Sequence, residues 1–304
     1  RPFDRYEFLV AATSQMGVIG LEHHRSSENT VPTDFFTNWG KALGSVGLLP
    51  HEYVHAWNGK RNRPADELTP NHNVPSQNTL LWVYEGQTEY WGDVLTARSG
   101  LAPKEDIITS FAEVAAFYAN QPGRQWRSLQ DTNNHNLLGY RTSNPYSSWM
   151  RGTGDYYREA LLVWLDADTL IREGTKDRRS LDDFAKTFFG GDDGSYAPRG
   201  YVFDDVVAAL NAVYPHDWAS FLRTRLDAVG PQATAPLDGL ERAGWRLTYT
   251  DDLTAAEKKI QTGWARDFQY SLGFTLSASN KISGIRWGGL AFESHIGPGW
   301  ELVA

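Results

Sequence analysis

Cysteine is absent from this chain of 304 residues, which excludes disulfides, thiolate metal sites and a cysteine nucleophile together. Long apolar runs are missing too. None reaches the roughly 18 residues that a membrane-spanning helix needs, because Gly, Pro or Asp breaks each nearly charge-free stretch. Nor is there a Lys/Arg-rich block: 29 basic residues stand against 37 acidic ones, for a formal charge of −8. That balance argues against nucleic acid as a partner. No basic segment followed by an apolar one opens the chain at Arg1-Pro2-Phe3-Asp4, and both ends read as cuts in a longer protein. Hydrophobic residues make up 41% and charged residues 22%, so a packed core of one large or two smaller domains is expected.

Histidine is also scarce, at 8 residues, yet two fall in His51-Glu52-Tyr53-Val54-His55. On a helix, positions i and i+4 lie one turn apart on one face. His51 and His55 can therefore aim at one point, with Glu52 beside them. This is the H-E-x-x-H spacing in which two histidines bind zinc and the glutamate serves as general base. A surface helix with two unrelated histidines is the plain alternative.

The helix carrying the pentapeptide is expected over Ser45–Trp57, stopped by Asn58-Gly59. Pro50 fits only a first turn, so the helix starts late or kinks before His51. Two short strands are expected earlier, over 3–10 and 16–21, and 61–78 reads as a long polar loop. Leu80–Ser99 reads as one helix ended by Gly100, carrying Glu85, Glu89 and Asp93 at successive i+4 steps. Trp82, Tyr84, Tyr90 and Trp91 leave little of it purely polar, so some of these acids should be buried and need partners. Further helices are expected over 104–120, 156–173, 181–189, 204–214 and 217–229, with 123–152 as an aromatic loop. Trp245–Thr250 reads as a strand, and 267–295 as several more.

Two histidines leave a tetrahedral zinc short of one protein ligand and an open position. Candidates for the third are Glu22, Glu85, Glu89, His72 and His135. Glu85 is preferred, because Gly86 beside it lets another helix come close. Glu89, one turn on, can support a ligand histidine from behind.

These residues resemble the gluzincin metallopeptidases, in which a ligand glutamate follows H-E-x-x-H in a W-x-x-E-G context, here Trp82-Val83-Tyr84-Glu85-Gly86. More narrowly, Gly20-Leu21-Glu22-His23, His51 to Asn58, Lys60-Arg61 with Arg63-Pro64, and Tyr156-Tyr157 leading to Ile171-Arg172 resemble the glycyl aminopeptidase family. The resemblance implies an α+β fold: a thermolysin-like catalytic domain over 1–265, with a small sheet over 1–40 and a helical body over 41–265. A partial PDZ-like module would follow over 266–304. Tyr270-Ser271-Leu272-Gly273-Phe274 is similar to the carboxylate-binding loop of such modules, and Ile282–Ile285 to a following strand.

The resemblance also implies one zinc ion on His51, His55 and Glu85, with Glu52 as general base. Tyr157 would stabilise the oxyanion, as in the Y-E-K-G segment of related enzymes. This chain has Tyr157-Arg158-Glu159-Ala160 there, so Tyr156 stays an alternative. Glu22 would bind the free amine of the substrate, although related enzymes have asparagine where this chain has His23. The implied substrates are peptides with a free N-terminus, beginning with Gly or Ala, and the implied compartment is the periplasm or exterior of a bacterium. Two rivals remain. One is an endopeptidase of the same class. The other is a peptide-binding scaffold with a structural metal, for which His23, His24, His72 and His135 are loose candidates for a fourth ligand.

Overall fold

The computed structural model describes residues 3–17, 19–42, 45–139, 151, 154–191, 193–252, 258 and 265–303. Tyr140, Tyr146 and Trp149 of the expected aromatic loop lie outside these residues. Among those described, no helix is long and apolar enough to cross a membrane.

Three strands form the first sheet: β1 (Glu7–Ala12), β2 (Gly20–Glu22) and β3 (Ser26–Val31), in the order β1-β3-β2. The central strand β3 runs parallel to β1 and antiparallel to β2. Its sequence is Ser-Ser-Glu-Asn-Thr-Val, with none of the apolar alternation that betrays a half-buried strand. It is buried through hydrogen bonding instead: the Asn29 amide donates to Ser27 Oγ at 2.9 Å and to the Leu9 carbonyl at 3.4 Å.

Short helix α1 (Trp39–Ala42) precedes α2 (Leu48–Val54). Pro50 sits in the first turn of α2, where its missing N–H costs no hydrogen bond. The expected loop after Asn58 holds β4 (Asn62–Pro64), which pairs in parallel with the distant β5 (Arg199–Tyr201), and a short 3-10 turn over Ala65–Glu67. The expected single helix over 80–99 is two: α3 (Leu81–Tyr84) and α4 (Gly86–Ser99), interrupted at Glu85. Then come α5 (Lys104–Ala119), α6 (Leu129–Gly139) and α7 (Asp155–Thr175). Helix α6 thus occupies part of the expected loop.

The core is built around α7. Ala160, Leu161, Leu162, Val163, Trp164, Ala167 and Ile171 on it are fully buried. Trp164 stacks on Trp82 with ring centroids 5.5 Å apart and donates its indole N–H to the Trp82 carbonyl at 2.9 Å. Gly86 makes the helix crossing possible. A Cβ there would lie 2.4 Å from the Ala160 Cβ and 2.6 Å from the Tyr156 carbonyl oxygen, so only a bare backbone allows α4 this close.

A helix buried on all sides must partner its polar residues. Asp168 accepts from the Tyr90 hydroxyl at 2.9 Å, Arg172 Nε at 2.7 Å and the Leu181 amide at 2.7 Å. That last bond fastens α7 to α8 (Leu181–Phe188), which begins with a Ser180 capping box. Fully buried Glu159 holds Arg124 and Arg151. Fully buried Asp166 takes Arg225 from α10 (Trp218–Asp227) and Arg242 from α11 (Asp238–Arg242). Between α8 and α10 lies α9 (Phe203–Val213).

Residues 245–250 carry no strand, contrary to their apolar alternation. Trp245 and Tyr249 there are exposed, and among the described residues no neighbouring strand lies alongside to pair with them. The last sheet consists of β6 (Ala265–Phe268), β7 (Phe274–Ser277) and β8 (Ile282–Ile285), antiparallel in that order and followed by α12 (Leu290–Glu293). Leu276, Ile282, Ile285 and Ala291 form a small apolar cluster of its own.

Removing one partner of a buried ion network strands the others, at about 3–5 kcal/mol. The variant Asp166→Ala should therefore lose about 3 kcal/mol in chemical denaturation. A loss under about 1 kcal/mol, the level of an exposed pair, would show that α10 and α11 are held by apolar packing alone.

Candidate metal centre

His51 lies in the last turn of α2, and His55 is the residue that closes that helix. Their Nε2 atoms stand 3.1 Å apart. Glu85, at the break between α3 and α4, brings Oε2 to 3.5 Å from His51 Nε2 and 3.3 Å from His55 Nε2. Among the described residues this is the group of His, Asp and Glu side chains whose ligand atoms converge, all within 4.8 Å of one another. His72 is exposed and does not join it, and neither do Glu22, His23, His24 and His135.

The far ring nitrogens decide what the near ones can be. His55 Nδ1 faces the Asn58 carbonyl at 2.9 Å, and a carbonyl only accepts, so that nitrogen carries the proton. His51 Nδ1 faces Glu89 Oε2 at 3.0 Å, again an acceptor. Each neutral ring therefore turns a bare lone pair inward. With both rings neutral, two lone pairs and a carboxylate oxygen face one another. A cation satisfies all three.

The acidic surroundings favour positive charge here, carried either by a metal ion or by a proton on these rings. Burial works against a charged His51, but Glu85 and Glu89 outweigh it and hold its pKa well above the ordinary value. His55 is raised likewise, burial being outweighed by Glu85. Burial alone would raise Glu85, yet His55 and His51 hold it far below the usual carboxylate range. Glu89 is lowered to about 2, its burial overcome by His51 and Arg158. The size of the site suits zinc. Ligand atoms about 2.0–2.2 Å from a tetrahedral centre stand about 3.3–3.6 Å apart, close to the 3.1, 3.5 and 3.3 Å found here.

Glu52 is 4% exposed, and its Oε2 is buried with no hydrogen-bond partner among the described residues. Burial raises its pKa, against the pull of His55 and His51. Strand β2 covers it through Gly20, where a Cβ would lie 1.9 Å from Glu52 Oε1. Glu22, two residues on, accepts from the Tyr84 hydroxyl at 2.6 Å and holds Lys60 Nζ at 3.2 Å. Burial would raise the Glu22 pKa, but His55 and Lys60 bring it below the ordinary value.

The two tyrosines separate clearly. Tyr156 is 2% exposed, and its hydroxyl accepts from the Asn136 amide at 2.6 Å. Tyr157 is half-buried and lies alongside the His51 ring, with centroids 6.1 Å apart and planes inclined by 29°.

Four residues of the site escape sequence reasoning. Arg158 donates to Glu89 Oε1 at 2.6 Å and to Ser110 Oγ at 3.0 Å, so Glu89 bridges His51 and an arginine. Tyr84 and Lys60 both hold Glu22. Asn58, which reads as a helix stop, is wholly buried between the segments that bear His55 and Glu85. The signals are thin: a charge replacing the expected Y-E-K-G pattern at Arg158, and Lys60 within the Lys60-Arg61 pair.

Residues 44–163 match the profile of the M61 glycyl aminopeptidases. Over those residues the chain is similar to the glycyl aminopeptidase family. Over its whole length it superposes on an aminopeptidase N family protein from Idiomarina loihiensis at a TM-score of 0.69 and 19% identity, covering 100% of this chain and 52% of that one. The chain thus shares the fold of that protein and spans about half its length. An M1 zinc metallopeptidase from Deinococcus radiodurans aligns at a TM-score of 0.43 and 14% identity over 76% of this chain and 41% of that one, too slight a likeness to build on. No curated protein sequence matches the chain at a significant level. The stretch matching the glycyl aminopeptidase family contains His51, Glu52, His55, Glu85, Glu89 and Tyr157, and Glu22 lies outside it.

A ligand that binds only the folded protein stabilises it, by about 2.7 kcal/mol at one hundred times its Kd. Zinc at that excess should raise the thermal midpoint of the chelator-stripped protein, at one ion per chain, and His55→Ala should abolish the shift. A shift retained by His55→Ala would place the ion elsewhere.

Proposed function

We propose that this protein is a zinc-dependent aminopeptidase that removes N-terminal Gly or Ala from peptides. The observation that carries this reading is the buried Glu52 Oε2, without a hydrogen-bond partner among the described residues, beside the convergence of His51, His55 and Glu85. When bound on those three residues, zinc supplies the charge that acidifies a water and polarises the scissile carbonyl. Glu52, its pKa raised by burial, takes the proton of the attacking water and passes it to the departing amine. Tyr157, beside His51, donates its hydroxyl hydrogen to the oxygen that gains negative charge. Glu22, on strand β2, receives the α-ammonium of the substrate and sets cleavage one residue from the N-terminus. Glu89, tied to His51 and Arg158, fixes the ring of His51 from behind. Residues 1–265 make up the catalytic unit in this account. Residues 266–304 begin a PDZ-like module, a division supported by the separate apolar cluster of the last sheet.

One observation favours a second reading, an endopeptidase. Lys60 already balances the charge of Glu22, so an incoming ammonium meets a carboxylate that is partly neutralised. A peptide-binding scaffold is less well supported, since β7 is paired on both edges and offers no free edge to an added strand.

Hydrolysis of Gly- and Ala-p-nitroanilide beside their N-acetylated forms separates the readings. Chelator-sensitive turnover of the free-amine substrates alone is expected, with kcat falling about 10²–10⁴-fold in Glu52→Gln. Turnover of the acetylated substrates would establish the endopeptidase and remove Glu22 from amine recognition.

A further inference from the structure

Asn58 follows the second histidine by three residues and has no exposed surface. Its backbone carbonyl takes the Nδ1 proton of His55 at 2.9 Å. Its side chain reaches across to the other ligand-bearing segment: Nδ2 lies 2.8 Å from the Val83 carbonyl, 3.1 Å from the Tyr84 carbonyl and 3.1 Å from Thr88 Oγ1. Oδ1 accepts from the Tyr201 hydroxyl at 3.4 Å. Val83 and Tyr84 are the last two residues of α3, directly before the break at Glu85. In an uninterrupted helix their carbonyls accept from the backbone amides four residues on. Here the Asn58 amide bonds to them, and Thr88 Oγ1 donates to the Tyr84 carbonyl at 2.6 Å.

The break matters because of what sits on it. Glu85 ends α3 and begins α4, with φ −96° and ψ −47°, and its carboxylate must meet two imidazoles on a separate helix. A buried carbonyl left without a donor is costly, so the kinked backbone is stable only while something satisfies Val83 and Tyr84. Asn58 does this while its own backbone sets the tautomer of His55. One residue therefore touches both sides of the metal centre without being a ligand.

We infer that Asn58 is a positioning residue that holds His55 and Glu85 at metal-binding separation by stapling the helix break at Glu85 to the end of α2. The inference rests on the zinc-site reading above and adds a residue and a mechanism to it. A merely structural role makes a different prediction, namely a less stable fold around an unchanged zinc affinity.

The test measures zinc affinity by competition with a chromophoric chelator, together with the visible spectrum of the cobalt-substituted protein and the thermal midpoint of the metal-free form. Asn58→Asp keeps the shape, the backbone carbonyl and the acceptor toward Tyr201, but sets a carboxylate oxygen against two carbonyls. Asn58→Ala removes the staple outright. Zinc Kd is expected to rise about 10–100-fold in both, the usual effect of losing a group that orients a ligand, with an altered cobalt spectrum in a protein that remains folded. An unchanged Kd and cobalt spectrum in these variants would overturn the inference. Should neither variant fold, Thr88→Val, which deletes the hydroxyl shared by Asn58 and the Tyr84 carbonyl, must raise Kd several-fold, and an unchanged value overturns the inference equally. Wild-type protein that binds no zinc at all would instead strike down the metal-site reading itself.

Discussion

Three hydrogen-bond acceptors, His51 Nε2, His55 Nε2 and Glu85 Oε2, are held within 3.5 Å of one another. Like groups do not gather this way of their own accord, because each would rather face a proton or water. Their meeting is imposed from behind. The Asn58 carbonyl and the Glu89 carboxylate each claim one imidazole proton, which leaves the inward nitrogens bare. The rest of the molecule follows from the need to keep that arrangement in place: a short helix with its proline in the first turn, a second helix broken at Glu85, and a glycine at which a third helix can close.

That third helix, α7, organises the body. It presents Tyr157 and Arg158 to the site, and one residue further its Glu159 is buried against two arginines. Beyond these, Asp166 and Asp168 collect α10, α11 and the start of α8. Each of these buried carboxylates is answered by a residue from a different element, so the helix locks the fold and the site together. Arg158 serves two neighbours at once. It neutralises Glu89, which orients His51, and it lies 3.8 Å from Asp93, whose pKa burial raises to about 6. The carboxylates Glu85, Glu89 and Asp93 are thus divided between the convergence with His51 and His55 and the support behind it.

Spacing along the chain makes much of this legible. His51 and His55 stand one turn apart on α2 as their spacing implies, and Glu85 and Glu89 meet them from a helix whose break at Glu85 that spacing does not reveal. What escapes is carried by other physics. Strand β3 is buried by hydrogen bonding through Ser27 and Asn29 rather than by apolar side chains, so alternation has nothing to report. The apolar pattern of 245–250 promises a strand that has no neighbour among the described residues to pair with. The break at Glu85 is invisible to helical periodicity, because it depends on an asparagine 27 residues earlier in the chain. Partners such as Lys60 for Glu22 and Arg158 for Glu89 arise only when distant segments pack.

The central claim is an open zinc centre on two histidines and one glutamate, next to a general base. A crystal structure of the zinc-loaded protein, with anomalous differences measured at the zinc edge, tests it most directly. The account predicts one peak per chain among His51 Nε2, His55 Nε2 and Glu85 Oε2, with a water as the remaining ligand on the side of Glu52. A peak bound by four protein side chains, or one lying away from these three atoms, would contradict it.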